Sequence, residues 1–165
     1  MKIKYFLIVC VALSVASCGA RTNFATDLTV PVVQAFKSNS YNKLECMLPS
    51  EDQIEKGFDR ESGPMGGVFY NKYTEDYQLQ SLRAKLHNDF EIIQDQAETN
   101  GLDWDNVTMG GTIKEDNFEA NPGFSIMNTP LNFPNGGQYI LSYNVIQVDG
   151  DWRLYNNINL EKKRK

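Results

Sequence analysis

The feature that most constrains this chain is the hairpin near its C-terminus, Gln138 to Val148 and Trp152 to Glu161 closed by Asp149-Gly150. Asp-Gly suits a two-residue type I′ turn, in which both central residues take positive φ. A turn of fixed length fixes the strand register, and the register sorts side chains between two faces. Pairing Val148 with Asp151 sets Val145 against Leu154, Leu141 against Ile158 and Tyr139 against Leu160. Tyr143 and Trp152 share that apolar face, while Ser142, Asn144, Arg153, Tyr155, Asn157 and Asn159 occupy the other. A sheet with one apolar and one polar face calls for helices on one side only.

A helix able to supply that layer lies upstream. Leu79, Leu82, Leu86, Phe90, Ile93 and Ala97 recur at spacings of three and four, which aligns them on one stripe, and Asn100-Gly101 provides a left-handed stop. Three shorter helical pieces precede it. The first has Asp27 or Thr29 as cap, Pro31 in its first turn and an apolar side of Val32, Val33, Ala35 and Phe36. The second starts near Tyr41, carries Leu44, Met47 and Leu48, and stops at Pro49. Ser50-Glu51-Asp52-Gln53 reads as a capping box that opens the third, with Ile54 and Phe58 inward. Gly63 to Gly67 is a connector, because the Lys-Ser/Thr pair of a phosphate loop does not follow it. Beyond Gly101, Trp104 to Lys114 is a strand interrupted at Gly110-Gly111. Phe124 to Phe133 is a second strand, confined to an edge or bend by Pro130 and Pro134. The order predicts an α+β domain, with N-terminal helices packed on a curved C-terminal antiparallel sheet.

The beginning of the chain sets an address. Lys2 and Lys4 precede an apolar run from Phe6 to Val15, too short for a permanent membrane span but suited to a signal peptide. Val15-Ala16-Ser17-Cys18 resembles a bacterial lipobox, and that resemblance implies cleavage before Cys18 and acylation of the new N-terminal cysteine. Residues 1–17 are then the signal peptide, 18–27 a lipidated start and short tether, 28–161 the domain and 162–165 a basic tail. Gly19 rather than Asp after the cysteine implies the outer membrane of a Gram-negative cell, and the lack of an acidic cluster directly after Cys18 implies its periplasmic face. The partner expected from this segment is the membrane itself, through the Cys18 anchor. Cys10 leaves with the signal and Cys18 carries lipid, so Cys46 is expected to remain as a small buried hydrophobe with no internal disulfide.

Removing 17 residues from 165 leaves 148, enough for one domain with a substantial core. The net charge is −5, and −7 once Lys2 and Lys4 are removed, which argues against a nucleic-acid partner because phosphate binding needs a basic face. The tail Lys162-Lys163-Arg164-Lys165 is a solubilising end, or a contact for anionic lipid.

Residues for catalysis are few. His87 is the single histidine and sits about 100° round the helix from the core stripe, at its flank or in solvent. Neither a His-x-x-x-His nor a Cys-x-x-Cys pair accompanies it, so no metal or other cofactor is expected. Asp103, Asp105 and Asn106 lack the glycine and distal glutamate placement of an EF-hand loop, and read as a solvated turn after the helix.

The helical pieces, the long helix and the terminal sheet resemble the NTF2-like, cystatin-like α+β superfamily. The likeness rests on Pro31-Val32-Val33-Gln34-Ala35-Phe36, Ser40-Tyr41-Asn42-Lys43-Leu44 and Asp149-Gly150-Asp151-Trp152-Arg153-Leu154. It implies a long helix across a curved sheet, enclosing a cone lined here by Tyr139, Tyr143 and Trp152. These three are the candidate ligand residues, against the plainer account that they complete the core. The superfamily holds non-catalytic binding and accessory domains as well as hydratases and isomerases. The expectation is therefore a non-catalytic module for a small ligand or an envelope protein. The alternatives are an enzyme built on His87 and a spacer whose cone is filled by its own side chains. Gln147-Val148-Asp149-Gly150 resembles the protease-binding loop of cystatins but lacks their residue between Gln and Val, so protease inhibition is not implied.

Overall fold

A 3-10 turn at Ala25–Leu28 leads into α1 (Thr29–Lys37), α2 (Tyr41–Glu45), α3 (Glu51–Phe58) and the 25-residue α4 (Glu75–Thr99). The strands follow as β1 (Thr108–Met109), β2 (Ile113–Asp116), β3 (Phe124–Phe133), β4 (Gly137–Val148) and β5 (Asp151–Lys162). In this computed structural model the described residues are 22–58, 75–116 and 123–163. The expectations for residues 1–18 and 63–67, and for the end of the basic tail at 164–165, lie outside them. The fold is α+β: a five-stranded antiparallel sheet in which β1 and β2 both pair with β3, followed by β4 and β5.

Local chemistry accounts for most of the helix ends. Ser50 N–H donates to Gln53 Oε1 at 3.1 Å and Gln53 N–H donates to Ser50 Oγ at 3.3 Å, the reciprocal capping box that opens α3. Gly101 takes φ +62 after α4, and Leu102 N–H returns to the Ala97 carbonyl at 2.8 Å. At α1 the expected cap is displaced. Asp27 instead accepts the Phe24 N–H at 3.1 Å, so it closes the 3-10 turn, and α1 starts directly from Leu28.

The strands depart from the sequence reading in three places. Trp104 to Val107 is not strand, because Asp103 gathers the chain there into a turn. Its Oδ1 accepts the N–H groups of Asp105 (3.0 Å) and Asn106 (3.3 Å). Second, Pro130 lies in an interior strand rather than at an edge. It sits opposite the break between β1 and β2, with its carbonyl accepting Gly110 N–H at 2.8 Å, so its missing donor faces a gap in the ladder. Third, the hairpin register holds only near the turn. Asp149 and Gly150 take φ +53 and +80, and Val145 pairs with Leu154 as expected. Farther along, Leu141 faces Leu160 rather than Ile158, and Tyr139 faces Lys162 rather than Leu160. Two one-residue shifts occur on β5, around Tyr155 and around Asn157, whose φ is +54. Two shifts restore the parity of the pleat, so Ile158 and Leu160 remain on the apolar side as the sequence suggests.

One face of the sheet holds the main core, where Tyr139, Leu141, Tyr143, Val145, Leu154, Ile158 and Leu160 meet Val32, Phe36, Leu86, Phe90 and Ile93. The other face is not polar throughout. Burial alternates along β4 until Val145 and Ile146, which are both buried. Beyond that point Ile146, Val148 and Tyr155 pack against Ile54 of α3 and Leu79 and Leu82 of α4. Asp151 and Arg153 are also buried there as an ion pair at 3.2 Å. One long helix serves two cores, its first half on one side of the sheet and its second half on the other.

That path places α4 along β5, the edge strand, and explains how this edge avoids exposing unpaired backbone. Ile158 N–H donates to Asp89 Oδ2 at 3.2 Å, and Gln96 Nε2 donates to the Leu160 carbonyl at 2.9 Å. Nearer the turn, Trp152 N–H reaches the Thr22 carbonyl and Leu154 N–H reaches the Met47 carbonyl, each at 2.9 Å.

Candidate functional site

The three aromatic candidates are brought to one face, and all three are buried, Tyr143 completely at 0% exposure. Around Tyr139 this face is filled by a run of rings. Phe90 stacks on Phe36 and Phe36 on Trp104, both with centroids 5.1 Å apart, Trp104 meets Phe133 edge-on at 5.0 Å, and Phe133 meets Tyr139 at 5.5 Å. Tyr143 closes a cluster of hydroxyls. Its phenol oxygen lies 3.0 Å from Thr29 Oγ1 on α1; Thr112 Oγ1 donates to Thr29 at 3.2 Å and lies 3.1 Å from Thr129 Oγ1. A buried hydroxyl without a partner is costly, and here the helix and the loop each contribute one hydroxyl and the strands two. Trp152 is held differently. Lys114 Nζ reaches from β2 to within 4.7 Å of its ring centroid, and Thr22 Oγ1 donates to its carbonyl. The threonines and Lys114 are the part of this face that sequence reasoning missed; threonine in a strand signals little more than β-propensity.

Burial has a measurable consequence for the phenols. Tyr155, packed between α3 and α4, is pushed up to about 12 by burial. Burial also raises Tyr143, against the opposing hydrogen bonds of Thr29 and Thr129. In the unfolded chain a tyrosine ionises near 10. Between about pH 10 and 12 the folded state therefore retains protons that the unfolded state has lost. Stability from this source is full below about pH 10 and declines as pH rises toward 12. Denaturant titrations from pH 8 to 12 should show that decline in the native chain and a shallower one in Tyr155→Phe. Identical slopes in the two proteins would remove Tyr155 as its cause.

His87 lies outside the main core. It is half-exposed on α4, with Nδ1 3.6 Å from Glu91 Oε2 one turn on and its ring edge against Tyr41 at 4.6 Å. The Tyr41 hydroxyl is committed to the Arg83 carbonyl at 2.9 Å. His87, Tyr41 and Glu91, with Asn39, Phe90, Gln94 and Asp95, line an open depression of about 450 Å³. A wider hollow of about 1060 Å³ lies at the far end of the hairpin, between Gln96, Gln138 and Lys162. Neither hollow is lined by Tyr139, Tyr143 or Trp152.

Asp103 spends both carboxylate oxygens on its turn, the second accepting Asn106 Nδ2 at 2.7 Å. The Asn106 amide, with the N–H groups of Asn106 and Asp105, holds its carboxyl below the usual range. Among the described residues no three His, Cys, Asp or Glu side chains gather as metal ligands, and no helix is long and apolar enough to cross a membrane. Cys46 corrects the sequence reading. It is disulfide-bonded rather than a lone buried thiol, and its partner lies outside the described residues. The expectation failed because it counted one cysteine in the body and assigned the others to cleavage and lipid.

A DUF4783 family protein from Bacteroides ovatus is similar in structure, at 15% sequence identity and a TM-score of 0.38, with 82% of this chain and 94% of that chain covered. No protein-family model matches the sequence, and neither does any curated protein.

Proposed function

We propose that this chain is an exported, lipid-anchored envelope protein with an NTF2-like, cystatin-like domain. Its role is that of a non-catalytic accessory module engaging an envelope protein through its surface. The observation that carries the reading is the filled face of the sheet around Tyr139 and Tyr143. The aromatic run from Phe90 to Tyr139 and the hydroxyl cluster at Tyr143 occupy the space where a cone would hold a ligand. His87 favours the same side, since a general base needs a sheltered position beside its substrate and this ring is half-exposed on the outer flank of α4. The address is supported by Lys2, Lys4, the apolar run and Val15-Ala16-Ser17-Cys18.

Two measurements test the two halves of this proposal. Cys18→Ser should move the protein from the membrane to the soluble fraction and abolish palmitate labelling; a variant that still pellets with undiminished label refutes the anchor. Native mass spectrometry of the protein taken from the envelope should show no retained small molecule. A recurrent extra mass that Tyr143→Phe removes would instead establish a ligand in the cone.

A further inference from the structure

The β5 edge is covered along most of its length and open at its end. Its outward groups alternate along the strand. Ile158 N–H donates to Asp89 Oδ2 and the Leu160 carbonyl accepts Gln96 Nε2, while Lys163 N–H turns inward to the Gln138 carbonyl at 2.9 Å. By that alternation the N–H and C=O of Lys162 point outward. Lys162 lies about 7 Å beyond Leu160, and the helix does not follow it that far. Past Gln96, α4 runs only to Thr99, a rise of about 4.5 Å, and Gly101 then ends it at φ +62. Among the described residues no α4 side chain bonds to the Lys162 backbone. The space that the helix leaves is the hollow of about 1060 Å³ between Gln96, Gln138 and Lys162.

Two exposed lysines stand at this opening. Lys162 pairs with Tyr139 and leans over its ring, Nζ 6.0 Å from the centroid, so it belongs to the core side of the sheet. Lys163, the next residue, falls on the other side. Glu161, the acid of the lining, already accepts Asn159 Nδ2 at 2.7 Å. Lysine on an edge deters neutral strands, and it deters a second copy of the same edge, which would set lysine against lysine. It attracts an acidic strand. We propose that this end of β5 takes a short extended segment of the partner protein, added beside β5 as a further strand. Two consecutive acidic residues of that segment reach Lys162 and Lys163 on opposite faces. The proposal rests on the accessory reading and names the chemistry of the partner. The partner's backbone replaces the hydrogen bonds that α4 supplies farther back along the edge, and its paired acids give the selectivity.

Titrating the full chain, in detergent, with the capped peptide Ser-Val-Glu-Glu-Val-Ser tests the site. Binding should slow hydrogen exchange at the Lys162 N–H about tenfold when free peptide stands at ten times its Kd. A double variant, Lys162→Glu with Lys163→Glu, should bind this peptide at least about tenfold more weakly, and should bind Ser-Val-Lys-Lys-Val-Ser in its place. Both side chains are exposed, so the variant keeps its fold. Peptide binding that leaves the Lys162 amide unprotected, or that the charge reversal does not change, overturns the site. No binding at millimolar peptide overturns it too, including the case in which vesicles of phosphatidylglycerol bind through the same lysines instead. Those failures leave the accessory reading intact, since native mass spectrometry tests it separately. A retained molecule that Tyr143→Phe removes defeats the accessory reading, and the peptide measurement still decides the edge site.

Discussion

Val145→Asp is expected to abolish folding. Val145 is fully buried, pairs with Leu154 and belongs to the core between the sheet and the helices. The substitution loses the apolar transfer energy of valine and places a carboxylate where the described core offers no cation, a combined cost of about 5 kcal/mol or more. A domain of this size has about 5–15 kcal/mol of stability in total, so little or none remains. Its neighbour Asn144 points to the other face, where Nδ2 donates to Asn156 Oδ1 at 2.8 Å. In Asn144→Asp the Asn156 amide can turn to present its own N–H groups, so the cost should stay within about 1 kcal/mol. Circular dichroism melts of the two variants give the check. Equal melting temperatures would place the faces of the hairpin wrongly.

Phe36→Ala should be the most damaging truncation in the helical layer. Phe36 is 1% exposed and stacks on both Phe90 of α4 and Trp104 of the following loop. Alanine removes the link between α1, α4 and the turn at Asp103, and leaves a cavity that rings on two sides cannot easily collapse into. The expected loss is about 3–5 kcal/mol, or a fall in Tm of roughly 10–20 °C. Ile92, also aliphatic but 55% exposed on α4, supplies the comparison. Ile92→Ala should change stability by no more than about 0.5 kcal/mol. Similar melts for the two variants would mean that the aromatic run does not hold the layers together.

Legibility followed the range of the forces involved. The capping box at Ser50 and Gln53, the stop at Gly101 and the turn at Asp149-Gly150 each rest on bonds or dihedrals within a few residues, and each forms as read. The stripe from Leu79 to Ala97 was equally plain, because helical periodicity needs no partner to be visible. Its division between two cores was not. Nothing in the spacing distinguishes Leu79 and Leu82, which pack behind the sheet, from Leu86 and Phe90, which pack before it. The candidate residues behave likewise. Strand alternation put Tyr139, Tyr143 and Trp152 on one face, but whether that face was open depended on Phe36, Trp104, Thr29 and Thr112, which come from elsewhere in the chain.

By itself the sequence determined an α+β order, the faces of the terminal hairpin, the start of α3 and the stop of α4, since all of these are settled by neighbours in the chain. Tertiary structure decided the rest. It set the two bulges that move Leu141 to Leu160, and the alignment of Asp89 and Gln96 with the β5 edge. It also brought Thr22 and Met47 side by side along the β5 edge. Each of these is a contact between residues distant in sequence, and it forms only when the strand register and the path of α4 are fixed together.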